Sequence, residues 1–203
     1  MNLSCRIGFL SSLSLSLVGE AYIVVVAIGI TEAGFHDPIV DPILAVMETL
    51  TLLSAPLVVA VMAAIYETAE PDRRILGLLA VIFAGIMAGL TSAVHFVALT
   101  AGRQTDFTVL QWPSTLYAVE LLAWDVFLGL SLLSSAFVFR GPGIRGLCRW
   151  SLLIAGALSL IGVIGPVTGS MALQRICIVG YGVVLPVAMG VLAQFFRRES
   201  RKQ

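Results

Sequence analysis

Six stretches of this chain are apolar almost without interruption: residues 8–30, 42–66, 75–100, 113–139, 148–168 and 173–197. Each runs about 21 to 27 residues, and roughly 20 suffice for a helix to cross the hydrocarbon of a bilayer. The predicted fold is therefore all-α, a polytopic bundle of six transmembrane helices forming one domain over 1–203. Asp41 followed by Pro42 reads as a cap and first-turn proline, and Trp112-Pro113-Ser114 as an interfacial start. The linkers are too short for a soluble domain, and no internal repeat is visible. Arg6 and the run to Ala21 have the outline of a signal peptide. The apolar run continues through YIVVVAIGI, and Glu20 precedes the supposed cut. An uncleaved first helix is the expectation.

Composition agrees with the pattern: 59% of residues are hydrophobic and 12% charged, with mean hydropathy +1.01, more apolar surface than a soluble domain can hide. Net charge is zero, but its distribution is uneven. Arg6, Arg73, Arg74, Arg140, Arg145, Arg149, Arg197, Arg198, Arg201 and Lys202 fall on one side of the six-span topology, and only Arg103 and Arg175 on the other. Basic loops stay in the cytoplasm, so both termini are expected there, in a multi-pass protein of a cell membrane. The basic tail reads as a topological anchor. No aromatic-interleaved basic patch exists, which excludes nucleic acid as a partner class. Cys5, Cys148 and Cys177 have no disulfide or zinc spacing. Gly85 and Gly89, and again Gly165 and Gly169, make G-x-x-x-G pairs expected to form helix seams. Pro56 and Pro186 are expected to bend the second and sixth helices.

The polar exceptions inside the spans carry the candidate chemistry. Glu20, Glu48, Glu120 and Asp125 are four of the twelve acidic residues, and His95 accompanies them. The fourth span holds 13 Leu, Ile, Val and Phe residues, about 4–8 kcal/mol of favourable insertion against about 5–7 for its two acids. Those acids must therefore face neighbouring helices. At about 1.5 Å per residue, Glu48, His95 and Glu120 lie about 7–10 Å below the outer helix ends. Glu20 and Asp125 lie about 15–18 Å deep. One site open to the outside, within the central and outer membrane, is the expectation.

On a helical wheel Tyr117, Glu120, Trp124, Phe127 and Ser131 form one stripe, with Asp125 about 140° from Glu120. Ser16, Thr51, Thr91 and Ser92 sit three or four residues from an ionisable group and are expected to hydrogen-bond with it. Four acids and one histidine cannot all be ionised and paired in hydrocarbon, so either several carboxyls are neutral or a cation enters. Glu48, His95 and Glu120 are also the candidate ligands of a metal ion, although no E-x-x-H or H-x-x-x-H spacing supports one. Turn chemistry explains His36-Asp37-Pro38 and Asp41-Pro42 in the first linker. No cofactor can be read from the sequence.

The runs TSAVHFVALTAGRQ (91–104) and WPSTLYAVELLAWDVFLGLSLL (112–133) resemble a group of bacterial six-helix integral membrane proteins with no assigned activity. The resemblance implies the six-helix fold and a bacterial inner membrane, and transfers no residue roles. Size and topology are also similar to the six-helix substrate-binding subunits of vitamin uptake systems, by architecture alone. Binding or transport of a cation (proton, metal or small amine) or a small apolar ligand ranks first. The alternative is an intramembrane enzyme acting on a lipid-like substrate, with Glu120 or Asp125 as acid–base and His95 in support. An accessory protein, packing against a partner membrane protein or its own copies, is the third reading. The lipid bilayer is the partner common to all three.

Overall fold

The computed structural model of the chain describes residues 2–34, 39–105, 114–170, 173–174 and 178–201, with Thr105 described by its backbone alone. His36, Asp37, Pro38, Trp112, Pro113, Arg175, Cys177 and Lys202, named above, lie outside the described residues. Six helices are long and apolar enough to cross a membrane. They are α1 (Leu3–Ala33), α2 (Ile43–Thr68), α3 (Arg74–Leu99), α4 (Thr115–Ala136), α5 (Ile144–Thr168) and α6 (Val179–Glu199). Among the described residues no strand is present. The fold is an all-α six-helix bundle, and its six apolar helices fit an integral membrane protein.

Local chemistry sets the ends. The Asn2 side chain accepts the Cys5 amide at 2.9 Å, so α1 begins at Leu3, five residues before the predicted start, and takes Arg6 into its first turns. Ser114 accepts the Tyr117 amide at 3.2 Å and starts α4. The Asp41 carboxylate accepts the Ala45 amide at 3.1 Å, one residue further out than the cap itself, which is Pro42. At the end of α5, Gly169 stands at φ +71°, the left-handed stop that glycine adopts without strain.

Each helix packs on its neighbours in sequence, and α6 closes on α1, so the six form a ring. Close approach occurs where glycine removes a side chain. Gly8 lies on the Phe196 ring, Gly19 on Pro186, Gly77 on the Tyr66 backbone and Gly180 on Leu158. Gly129 and Gly156 meet across α4 and α5, where a Cβ at Gly156 would lie 2.9 Å from the Gly129 carbonyl. The G-x-x-x-G expectation is corrected here. Gly85 and Gly89 have no heavy atom within 4 Å of an added Cβ, Gly165 packs on Gln174, and Gly169 is the helix stop. Spacing alone does not reveal which face meets a neighbour.

One end of the ring is solid. Val58, Met62 and Ile65 of α2, Ala84 and Met87 of α3, Leu128 and Leu132 of α4, Leu152 of α5, and Met189, Leu192 and Phe196 of α6 fill it. Nine of the described basic residues gather at that end, which carries both termini, and Arg103 alone sits at the other. Arg140 pairs with Asp72 at 2.9 Å, and Arg145 with Glu70 at 3.1 Å and Glu199 at 3.6 Å. These pairs lace the α2–α3 and α4–α5 loops to the end of α6. At the opposite end the Arg103 guanidinium makes a two-pronged contact with Asp41, at 2.9 and 3.0 Å.

Three of the six helices leave regular α geometry: α5 breaks at Val163 between Ile144–Gly162 and Ile164–Thr168, and two others carry π turns. Leu122–Leu128 in α4 and Val179–Val184 in α6 are π-helical, each widened by a residue that does not fit the 3.6-residue turn. In α6 the π segment runs directly into Pro186, whose missing N–H already breaks the ladder at that point.

Candidate functional site

Opposite the solid core, the ring encloses a cavity of about 390 Å³, within the range of about 300–1,000 Å³ usual for small-molecule sites. α1, α2, α4 and α6 supply its walls, and α3 contributes His95. Of the residues singled out from sequence, Glu48, His95, Tyr117, Glu120 and Trp124 all border this cavity. Glu20 and Asp125 do not. Glu20 is exposed on the outer face of α1, and Asp125 is fully buried on another side of α4. The five ionisable groups thus divide into a three-member cluster and two separate carboxyls.

The cluster joins three helices. His95 Nε2 stands 2.7 Å from Glu120 Oε1, and Nδ1 hydrogen-bonds with Glu48 Oε2. All three side chains are shielded, at 7, 8 and 14% exposure for His95, Glu48 and Glu120. Each ring nitrogen faces a carboxylate oxygen, and each contact needs one proton between the two atoms. Two arrangements supply both protons. An imidazolium donates both N–H groups to two carboxylates, or a neutral imidazole donates once and accepts once from a protonated carboxyl. Both leave a net charge of −1. With two protons shared among these atoms the triad carries −1 in either tautomer, and a third proton on an outer carboxyl oxygen makes it neutral.

The same geometry disfavours the metal reading. Both imidazole nitrogens are engaged, and the two carboxylates lie at opposite edges of the ring instead of converging on one point. Among the described residues no group of three or more His, Cys, Asp or Glu side chains is arranged to hold a metal ion.

The rest of the wall is largely apolar and strongly aromatic. Tyr22, Tyr117, Trp124 and Tyr181 border the cavity, so three of the four tyrosines in the chain meet there. Trp124 and Tyr181 pack with ring centroids 5.4 Å apart at 56°, one from each π segment. The Trp124 indole N–H is directed toward the Glu120 carboxyl without a fully formed hydrogen bond.

Tyr22 and Tyr181 were not singled out from sequence, although a tyrosine deep in an apolar span was the available signal. The hydroxyl partners expected for the ionisable groups mostly go elsewhere. Thr51 donates to the Met47 carbonyl at 3.0 Å, and Thr91 contacts the Met87 sulfur at 3.6 Å. Only Ser16 approaches its acid, Glu20, at 3.3 Å. On α4, the predicted stripe divides: Ser131 turns to α3 and donates to the Ala80 carbonyl at 2.8 Å. Comparison with protein-family models, with curated proteins and with solved structures gives no match.

Proposed function

We propose that this protein binds a small ligand carrying one positive charge on an apolar body, an amine, in the cavity beside the Glu48–His95–Glu120 triad, in a binding or transport role. The observation that carries the reading is two buried carboxyl groups on one imidazole, a set that carries −1 in its two-proton state, placed against aromatic walls. A buried unbalanced charge is costly in a membrane and draws an opposite charge. At about 4 Å and an effective dielectric of about 20, one such pair gains about 4 kcal/mol. Tyr22, Tyr117, Trp124 and Tyr181 line the same cavity, and an aromatic ring whose face meets a desolvated cation contributes about 0.5–2 kcal/mol. A hydrated metal ion would gain little from apolar walls, whereas an organic ammonium uses both features. With the basic end in the cytoplasm, the cavity lies in the outer half of the membrane.

The test uses the purified protein in nanodiscs, titrated with 2-phenylethylamine and with 2-phenylethanol, its neutral counterpart, by calorimetry. The amine is expected to bind at least tenfold more tightly, and Glu120→Gln and Glu48→Gln to remove most of that preference. Equal binding of amine and alcohol overturns the reading. Release of a chemically altered product on prolonged incubation would instead favour acid–base catalysis by the triad.

A further inference from the structure

The triad and cavity leave Glu20 unexplained. It lies near the middle of α1, is exposed, and has Ser16 for company at 3.3 Å. The Ser16 hydroxyl also reaches the Pro186 carbonyl at 2.8 Å, and its single hydrogen serves that shorter bond better. Tyr22, two residues on, borders the cavity, which puts Glu20 about 160° around the helix from it. A carboxyl on the hydrocarbon side of a membrane helix is expensive and marks function by default.

Its position relative to α6 is the second observation. Inward from mid-span, α1 and α6 touch closely, with Gly8 on Phe196 and Gly19 on Pro186. Outward of the Gly19–Pro186 contact the cavity lies between them, bordered by Tyr22, Val26 and Ile30 on one side and Ile178 and Gly182 on the other. A Cβ at Gly182 would meet only Ile178, at 3.6 Å. Ile30 and Ile178 border the cavity and are also exposed, at 36 and 43%. The rim on this side is therefore apolar. Across the bundle, the Arg103–Asp41 pair ties the end of α3 to the start of α2.

We propose that the α1–α6 cleft outward of Gly19 and Pro186 is a lateral entrance through which a single-chain lipophilic amine dissolved in the bilayer reaches the triad. Glu20 is its first carboxyl contact on the lipid face. This rests on the amine-binding reading above and names the ligand class more narrowly. An amine crosses hydrocarbon as its free base, and a carboxyl beside the cleft gives its nitrogen a hydrogen-bond partner at the depth where lipid offers none. From there the polar head passes between isoleucines to the aromatic cavity, and the alkyl chain trails into the lipid.

The experiment places a reporter thiol behind the rim. In liposomes, Gly182→Cys is introduced with Cys5, Cys148 and Cys177 replaced by Ser. Labelling by a lipid-soluble N-alkylmaleimide is compared with labelling by a charged, membrane-impermeant maleimide. The lipid-soluble reagent is expected to react at least tenfold faster, and dodecylamine to protect the thiol. Equal rates for the two reagents, or no labelling by either, overturn the entrance. In stopped-flow measurements of dodecylamine binding, Glu20→Gln is expected to slow association at least threefold with equilibrium occupancy unchanged. An unaltered rate removes Glu20 from the path. Binding of 2-phenylethylamine to the parent distinguishes the failures: if it persists, only the entrance is lost, and if it is absent, the amine reading falls with it.

Discussion

His95 Nε2 lies 2.7 Å from Glu120 Oε1, and this contact binds α3 to α4 at the depth where the opposite ring nitrogen binds α2 through Glu48. One imidazole thus fastens three helices at the wall of a cavity. Breaking a buried pair by removing one partner costs about 3–5 kcal/mol, because the remaining charge is stranded. His95→Ala is expected to lose stability of that order. The double variant His95→Ala/Glu120→Gln should lose less than the sum of its two singles, since they share one contact. Unfolding in mixed micelles followed by circular dichroism measures both.

Glycine substitutions separate true seams from coincidental motifs. Gly85→Ala and Gly89→Ala place a methyl where no atom stands within 4 Å, so each is expected to be neutral or to stabilise by about 0.5–1 kcal/mol. Gly156→Ala pushes a Cβ toward the Gly129 carbonyl and should cost about 1–3 kcal/mol. The same unfolding assay decides; a destabilised Gly85→Ala would contradict the packing described.

The Arg103–Asp41 clamp is partly exposed, at 25 and 36%, and exposed pairs contribute little. Arg103→Ala and Asp41→Asn are each expected to cost at most about 1 kcal/mol. The effect should shrink at high salt, as screening of surface charges requires. Melting curves at low and high ionic strength test this.

Trp124 packs against Tyr181 at the cavity wall, an aromatic contact that contributes about 0.5–1.5 kcal/mol beyond buried area. Trp124→Phe should retain most of that packing while losing the indole N–H directed at Glu120. The change in tryptophan fluorescence on adding 2-phenylethylamine is expected to fall severalfold in this variant. An undiminished change would place the amine away from α4.

The fold was legible because membrane thickness imposes a length on every apolar run, and basic residues mark alternate loops. The depth of Glu48, His95 and Glu120 was legible for the same reason: counting residues along a helix measures distance from its end. Which of five polar groups meet was not. Depth places Glu20 beside Asp125, yet one faces outward on α1 and the other is buried beside different neighbours of α4. The wheel drawn at 100° per residue also assumed regular α geometry through residues 122–128, which are π-helical. Gly85 and Gly89 show the same limit. A spacing describes a face of one helix, and the neighbour opposite that face comes only from the assembled ring.

The π segment of α4 joins two halves of that helix that face different partners. Its inner half, through Gly129, Ser131 and Leu132, is fixed by α5, α3 and the core, while its outer half carries Tyr117 and Glu120 to the cavity. A π turn takes up one extra residue within the helix, so deleting one residue within 122–128 is expected to restore regular α geometry with Glu120 still facing His95. A deletion in the regular α stretch Gly129–Ala136 would instead turn one half against the other by about 100°. The π segment is therefore a length buffer: one residue can be lost there with both the triad and the bundle packing kept in register.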